Sequence, residues 1–252
     1  MLPIYTNIIV IGIFAIDAIG GAIALPPDSQ NSAPVLVARV RAEDFLRRGV
    51  AKYKRGDKKG AVRDFTKAMR LNPKIASAYS NRGIARAELG NPQGALKDFD
   101  RAIKLNPKDA KNYYSRGITR FRLGDSQRAL EDYNRSLKIN PKFAEAYGNR
   151  GVVRSKLGDK HGAIEDYNQV IKLKSQDAQA FINRGIARFE LTDRQGAIED
   201  FQRAAGIYKQ QGKVANYQKT QQLIVQVQQV SYNNSSFQAQ ASFEPLSPSF
   251  DP

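Results

Sequence analysis

The chain contains no cysteine, which excludes a disulfide framework and any thiolate-ligated zinc or iron–sulfur site. Its one histidine, His161, leaves a single imidazole for base catalysis or metal ligation. No Walker-type phosphate loop, no H-E-x-x-H and no calcium loop is present, and no nucleophile is spaced with a partner base. An enzyme would have to work with carboxylates alone, and these recur at fixed intervals, as structural acids do. No catalytic role, cofactor or metal is therefore expected. Basic residues are missing from both ends. All 40 Lys and Arg lie between Arg39 and Lys219, with 20 of the 24 acids, so this core carries +20 in a chain of net charge +16. Such a core attracts anionic partners without specifying which.

Residues Ile8 to Leu25 are apolar apart from Asp17. Three readings compete. One is a cleaved signal peptide, since the stretch ends in the A-x-A pattern Ala22-Ile23-Ala24 and the polar, Pro-rich run Pro26 to Pro34 suits a flexible mature N-terminus. Another is an uncleaved anchor, because about 18 residues is marginally long enough to span a bilayer. The third is a core helix. The missing basic n-region and the charge of Asp17 count against a signal peptide. If the segment anchors, its basic C-terminal flank favours keeping the remainder of the chain cytoplasmic. The expectation is residues 1–25 as signal peptide or membrane anchor, 26–41 as a flexible linker, and an exported (periplasmic or extracellular) or membrane-anchored protein rather than a cytoplasmic one.

From Ala42 the sequence repeats every 34 residues without insertion, in blocks 42–75, 76–109, 110–143, 144–177 and 178–211. Block position 4 is Phe45, Tyr79, Tyr113, Tyr147, Phe181. Position 8 is Gly49, Gly83, Gly117, Gly151, Gly185. Position 20 is Ala61, Ala95, Ala129, Ala163, Ala197. Position 24 is Phe65, Phe99, Tyr133, Tyr167, Phe201. Apolar and small residues at 4, 8 and 9, and again at 20, 21, 24, 27 and 28, have helical spacing, so each block predicts two amphipathic helices. Leu-Gly at 14 and 15 ends the first helix. Asp or Asn at 16 caps the second. Asn72-Pro73, Asn106-Pro107 and Asn140-Pro141 end it, because the residue before proline is pushed out of the α region. Gly at 8 and Ala at 20 let the helices approach, and the aromatics at 4 and 24 are expected in the core. A single pair cannot bury its apolar face, so the blocks must stack. Val214 to Val230 predicts a capping helix, and 231–252 an Asn/Ser/Gln/Pro-rich disordered tail.

The lines YSNRGIARAELGNPQGALKDFDRAIKLNPKD (79–109) and YGNRGVVRSKLGDKHGAIEDYNQVIKLKSQ (147–176) resemble the tetratricopeptide repeat family. The resemblance covers 42–211 and extends to the capping helix near 230. It implies an all-α solenoid, a right-handed superhelix of five helix-turn-helix units within 42–230. It further implies that the first helices line a concave groove that binds a protein or peptide. In the family, positions 2, 5, 6, 9, 12 and 13 usually face that groove. Position 6 here is Arg47, Asn81, Ser115, Asn149, Asn183, similar to an asparagine ladder that holds a peptide backbone through paired donor and acceptor. The other groove candidates are Tyr53, Lys54, Lys111, Tyr114, Phe121, Arg122, Lys156 and Phe189. The carboxylate clamp of chaperone-binding members is absent, since positions 5 and 9 lack its Lys and Asn.

Two rows admit more than one reading. Arg stands at position 7 in every block (Arg48, Arg82, Arg116, Arg150, Arg184) and Lys or Arg at position 11, on one helix face. Either they form a basic stripe for an acidic ligand, or they pair with the invariant Asp at position 23 (Asp64, Asp98, Asp132, Asp166, Asp200) and fix helix packing. One Asp per two bases leaves half the bases over. The asparagine row either contacts ligand or bonds neighbouring helices. His161 is expected on the surface. The leading expectation is an interaction scaffold holding a protein or peptide partner, exported or membrane-tethered. The alternative is a basic solenoid that binds lipid headgroups or polyanionic glycan. Nucleic acid is not the expected partner, because the aromatics that would stack on bases belong to the core.

Overall fold

The computed structural model describes residues 33–232. The apolar stretch 8–25 and the tail beyond Tyr232 lie outside the described residues. Among the described residues there are eleven helices and no strand. They are α1 (Ala33–Lys54), α2 (Lys58–Leu71), α3 (Ala76–Glu88), α4 (Pro92–Leu105), α5 (Ala110–Arg122), α6 (Ser126–Ile139), α7 (Ala144–Lys156), α8 (Lys160–Leu173), α9 (Ala178–Glu190), α10 (Arg194–Gln210) and α11 (Val214–Tyr232). Each block supplies two, so the fold is an all-α helical solenoid. The first helix starts earlier than the sequence suggests: residues 33–41, expected as the end of a flexible linker, are already helical. Pro34 does not prevent this, because a proline in the first turn has no intrahelical N–H bond to lose.

The helices fall into two units that divide between Asp125 and Ser126, inside the third block. In the first, α1 through α5 pack consecutively, and α1 also touches α3 and α3 touches α5. In the second, α6 through α11 pack consecutively and α7 touches α9. Phe65, Phe99, Tyr133, Tyr167 and Phe201 at position 24 are at most 1% exposed, and the five position-20 alanines are fully buried. At position 4 Tyr113 and Phe181 are buried as expected of core residues, but Phe45, Tyr79 and Tyr147 are only half-buried. Cations lie over them, such as Arg48 at 4.8 Å from the Phe45 ring centre and Arg150 at 5.4 Å from that of Tyr147.

Close approach explains the position-8 glycines. A Cβ on Gly49 would sit 2.6 Å from Phe65 Cε1, and one on Gly83 would sit 2.9 Å from Phe99 Cε1. A second row, at position 19, follows from capping. Asp57, Asn91, Asp159 and Asp193 accept from the backbone N–H three residues on, at 2.8 to 2.9 Å. A Cβ on Gly60 would fall 1.9 Å from Oδ2 of the capping Asp57. The inter-helix turns need a left-handed residue. Gly56, Gly90, Gly124 and Gly158 supply it with φ of +78° to +90°, whereas the last block uses Thr192 at +67°.

Candidate partner-binding surface

Two polar rows run side by side on the first helices of the blocks. At position 7 the arginines form charge-assisted forks. Arg48 Nε and Nη2 donate to Asp64 at 2.7 Å each. Arg82 bonds Asp98 at 3.0 and 2.6 Å, and Arg184 bonds Asp200 at 3.0 and 2.5 Å. Arg150 Nη2 reaches Asp166 at 2.6 Å. Arg116 and Asp132 belong to different units. The position-11 bases do not stand apart, because they reach the same carboxylates: Lys52 to Asp64 at 2.9 Å, Arg86 to Asp98 at 2.9 Å, Arg154 to Asp166 at 3.2 Å and Arg188 to Asp200 at 2.9 Å. Each of these aspartates thus serves two cations, so the count that left half the bases over was wrong.

The third guanidinium nitrogen of position 7 reaches backwards to the preceding block. Arg82 Nη1 donates to Thr66 at 3.0 Å, Arg116 to Asp100 at 2.7 Å, Arg150 to Asn134 at 2.8 Å and Arg184 to Asn168 at 2.6 Å. Position 25 was not singled out in the sequence, although its run of short polar side chains was visible there. Arg82, Arg150 and Arg184 therefore each tie their own two helices together and staple their block to the one before, and Arg116 makes the same backward staple.

Electrostatics differ along the row. Arg48 is half-exposed, and it draws the Asp64 carboxyl down to about 2. At Asp166 burial outweighs Arg150 and Arg154 and moves the carboxyl up. Arg150 itself is only 16% exposed, against 52% for Arg48. An interior pair gives up more hydration than one at the start of the array.

Position 6 behaves otherwise. Arg47 is exposed and donates to Asp44. Asn81, Ser115, Asn149 and Asn183 are buried, each at most 5% exposed. Asn183 Oδ1 accepts from Gln179 at 2.9 Å. No donor among the described residues reaches Asn81 Oδ1. Next to Asn81, Ser80 Oγ donates to Asn112 Oδ1 at 2.5 Å, and Asn112 Nδ2 donates to Asp109 at 3.3 Å. Of the other groove candidates in the first unit, Lys111 and Arg122 are exposed, Phe121 is half-buried and Tyr114 is buried. In the second unit Lys156 is exposed and Phe189 packs partly buried against the α9–α11 core.

Tyr53, expected to face the groove, instead joins a cluster whose pairing escaped the sequence reading. Tyr53 Oη donates to Glu88 Oε1 at 2.5 Å, and Lys58 Nζ lies 3.0 Å from Glu88 Oε2, an ion pair off the directions that a hydrogen bond needs. Burial, then Glu88, pushes the Tyr53 hydroxyl far up, so it stays a donor. Lys160 and Glu190 repeat the pair at 2.5 Å. Lys at position 17 followed by Glu at position 13 of the next block was the available signal.

The match to known repeats is direct. Residues 76–109, 99–131 and 120–182 each match a family model described as tetratricopeptide repeat. The chain is a tetratricopeptide repeat protein. No curated protein matches it. Among solved tetratricopeptide repeat and related structures, a MamA protein is 25% identical with a TM-score of 0.62, covering 69% of this chain and 94% of that one. MamA residues 41 to the end from Desulfovibrio magneticus RS-1 are 22% identical with a TM-score of 0.64, covering 68% and 97%. YrrB, described as a TPR protein with an unusual peptide-binding site, is 21% identical with a TM-score of 0.59, covering 69% and 92%. The last two likenesses speak for the fold.

Proposed function

We propose that this repeat protein is a non-catalytic scaffold whose first helices hold an extended segment of a partner protein. The observation that carries the reading is Asn81 Oδ1, a buried acceptor without a donor among the described residues. A buried polar atom left unpaired is unfavourable by about 1–3 kcal/mol; because Asn81 is only 1% exposed, its side chain must swing toward the groove before a partner's backbone N–H can pair with it, whatever the partner's sequence. Exposed Lys111 and Arg122 and half-buried Phe121 lie on α5, whose Asn112 bonds Ser80 next to Asn81. The description of YrrB as having a peptide-binding site is in keeping with this use of the fold.

We further propose that residues 8–25 export the scaffold or tether it at a membrane, since the stretch is apolar but for Asp17. Among the described residues no helix is long and apolar enough to cross a membrane. Fractionation with N-terminal sequencing of the mature chain tests it: a soluble cytoplasmic chain with its N-terminus intact overturns it. For the groove, Asn81→Ala combined with Asn149→Ala should abolish capture of the co-purifying partner, and unchanged capture overturns the reading.

A further inference from the structure

The outer helices of the first unit present cations that neither the Arg–Asp frame nor the groove uses. On α2 and the turn after it, Arg63, Lys67, Arg70 and Lys74 lie along one stripe at helical spacing, and all four are exposed. On α4 and its turn, Lys97, Arg101, Lys104 and Lys108 occupy the same block positions, 34 residues on. None of the eight has an acidic partner among the described residues. Lys67 and Arg101 only lie over rings, at 5.4 Å from Phe45 and 5.9 Å from Tyr79.

The fold does not demand this. The same four positions read Glu131, Arg135, Lys138 and Lys142 on α6 and its turn, Glu165, Gln169, Lys172 and Gln176 on α8 and its turn, and Glu199, Arg203, Gly206 and Gln210 on α10. Helices α8 and α10 pack as well without the charge. The asymmetry extends to each whole unit: residues 33–125 hold 23 Lys and Arg against nine acids, while 126–232 hold 17 against 11. Unpaired like charges repel one another, so a row kept basic at one end and neutral at the other points to a ligand rather than to folding.

We propose that the α2–α4 face docks on an anionic membrane surface. Three observations favour lipid headgroups over other polyanions. The face offers point charges, mostly Lys, without a bidentate pocket for one particular phosphate. Its two half-buried rings, Phe45 and Tyr79, lie under Lys67 and Arg101 instead of standing open for a base to stack on, as single-stranded nucleic acid needs. The loading is heaviest in the blocks that lie nearest in sequence to the apolar stretch 8–25 and fades with distance along the chain, as in juxtamembrane basic segments that hold a protein to acidic lipid. The proposal is independent of the groove on the first helices.

The test uses the full chain and vesicles of phosphatidylcholine with or without phosphatidylglycerol. The readout is the gain in binding that the anionic lipid produces, because the apolar stretch can contribute to binding on both kinds of vesicle. The variant Arg63→Gln, Lys67→Gln, Lys97→Gln, Arg101→Gln should lose that gain by at least about tenfold. A control removing as many cations elsewhere, Lys138→Gln, Lys172→Gln, Arg203→Gln, Lys209→Gln, should keep most of it. Added salt should reduce the gain in the wild type. Equal losses in variant and control would mean undirected charge and overturn the proposal, as would no loss in the variant. Binding of a duplex or single-stranded oligonucleotide that needs the same four residues and displaces the vesicles would reassign the face to nucleic acid. Partner capture through Asn81 should survive the α2–α4 variant, so failure here is separable from failure of the groove.

Discussion

Positions 6 and 7 are neighbours on the same helix turn, yet they have opposite lives. Position 7 is arginine in all five blocks, and each of Arg48, Arg82, Arg150 and Arg184 finds the Asp of its own block. Position 6 changes from Arg to Asn to Ser, is mostly buried, and at Asn81 keeps an acceptor that nothing among the described residues satisfies. A row that is identical and saturated answers to the fold. A row that varies and is left open at one member is where another molecule can enter. Basicity alone does not separate the two kinds of residue; the partners that each one finds do.

The largest expected break in this contrast is Asp98→Ala. It strands Arg82 and Arg86 together, only 13% and 27% exposed, and should cost about 3 kcal/mol, read as a drop in urea midpoint at constant slope. Next comes acid. Asp64 has its pKa lowered, so the stability it contributes is complete above the ordinary carboxylate value of about 4. That contribution is lost as pH falls through this range toward about 2. Asp64→Asn should flatten that part of the stability curve, whereas Asp166→Asn, with burial moving its carboxyl up, should not. Smaller still, Thr192→Gly should add roughly 1 kcal/mol, because a β-branched residue is strained at φ +67°. At the small end, Asn81→Leu should leave stability within about 1 kcal/mol of the wild type, since it removes an unpaired acceptor and fills a buried site, while partner capture disappears.

Much of this was legible in the sequence because repetition amplifies it. Five glycines opposite five rings at a fixed offset can only be a close helix contact, and the structure puts Gly49 and Gly83 against Phe65 and Phe99. Capping by position 16 was readable for the same reason. The convergence of two bases on one Asp was hidden, since a charge count treats pairing as one to one, whereas a carboxylate has two oxygens and four lone-pair sites. The burial of Asn81 was hidden because an amide in a helix repeat looks solvent-facing until its neighbours are placed. The helical start at Ala33 was masked by a Pro-rich composition that reads as linker. The division of the array within the third block leaves no mark in a period that runs through it unchanged.

The most direct test of the contrast is site-specific photocrosslinking in cells. A crosslinking residue at Lys111, exposed on α5 next to Asn112, which bonds the Ser80 neighbour of Asn81, should give a discrete protein adduct that disappears in the Asn81→Leu background. The same residue at Arg101, on the outer face of α4, should give none. Adducts of equal yield at both sites, or an adduct at 111 indifferent to Asn81, would contradict the account.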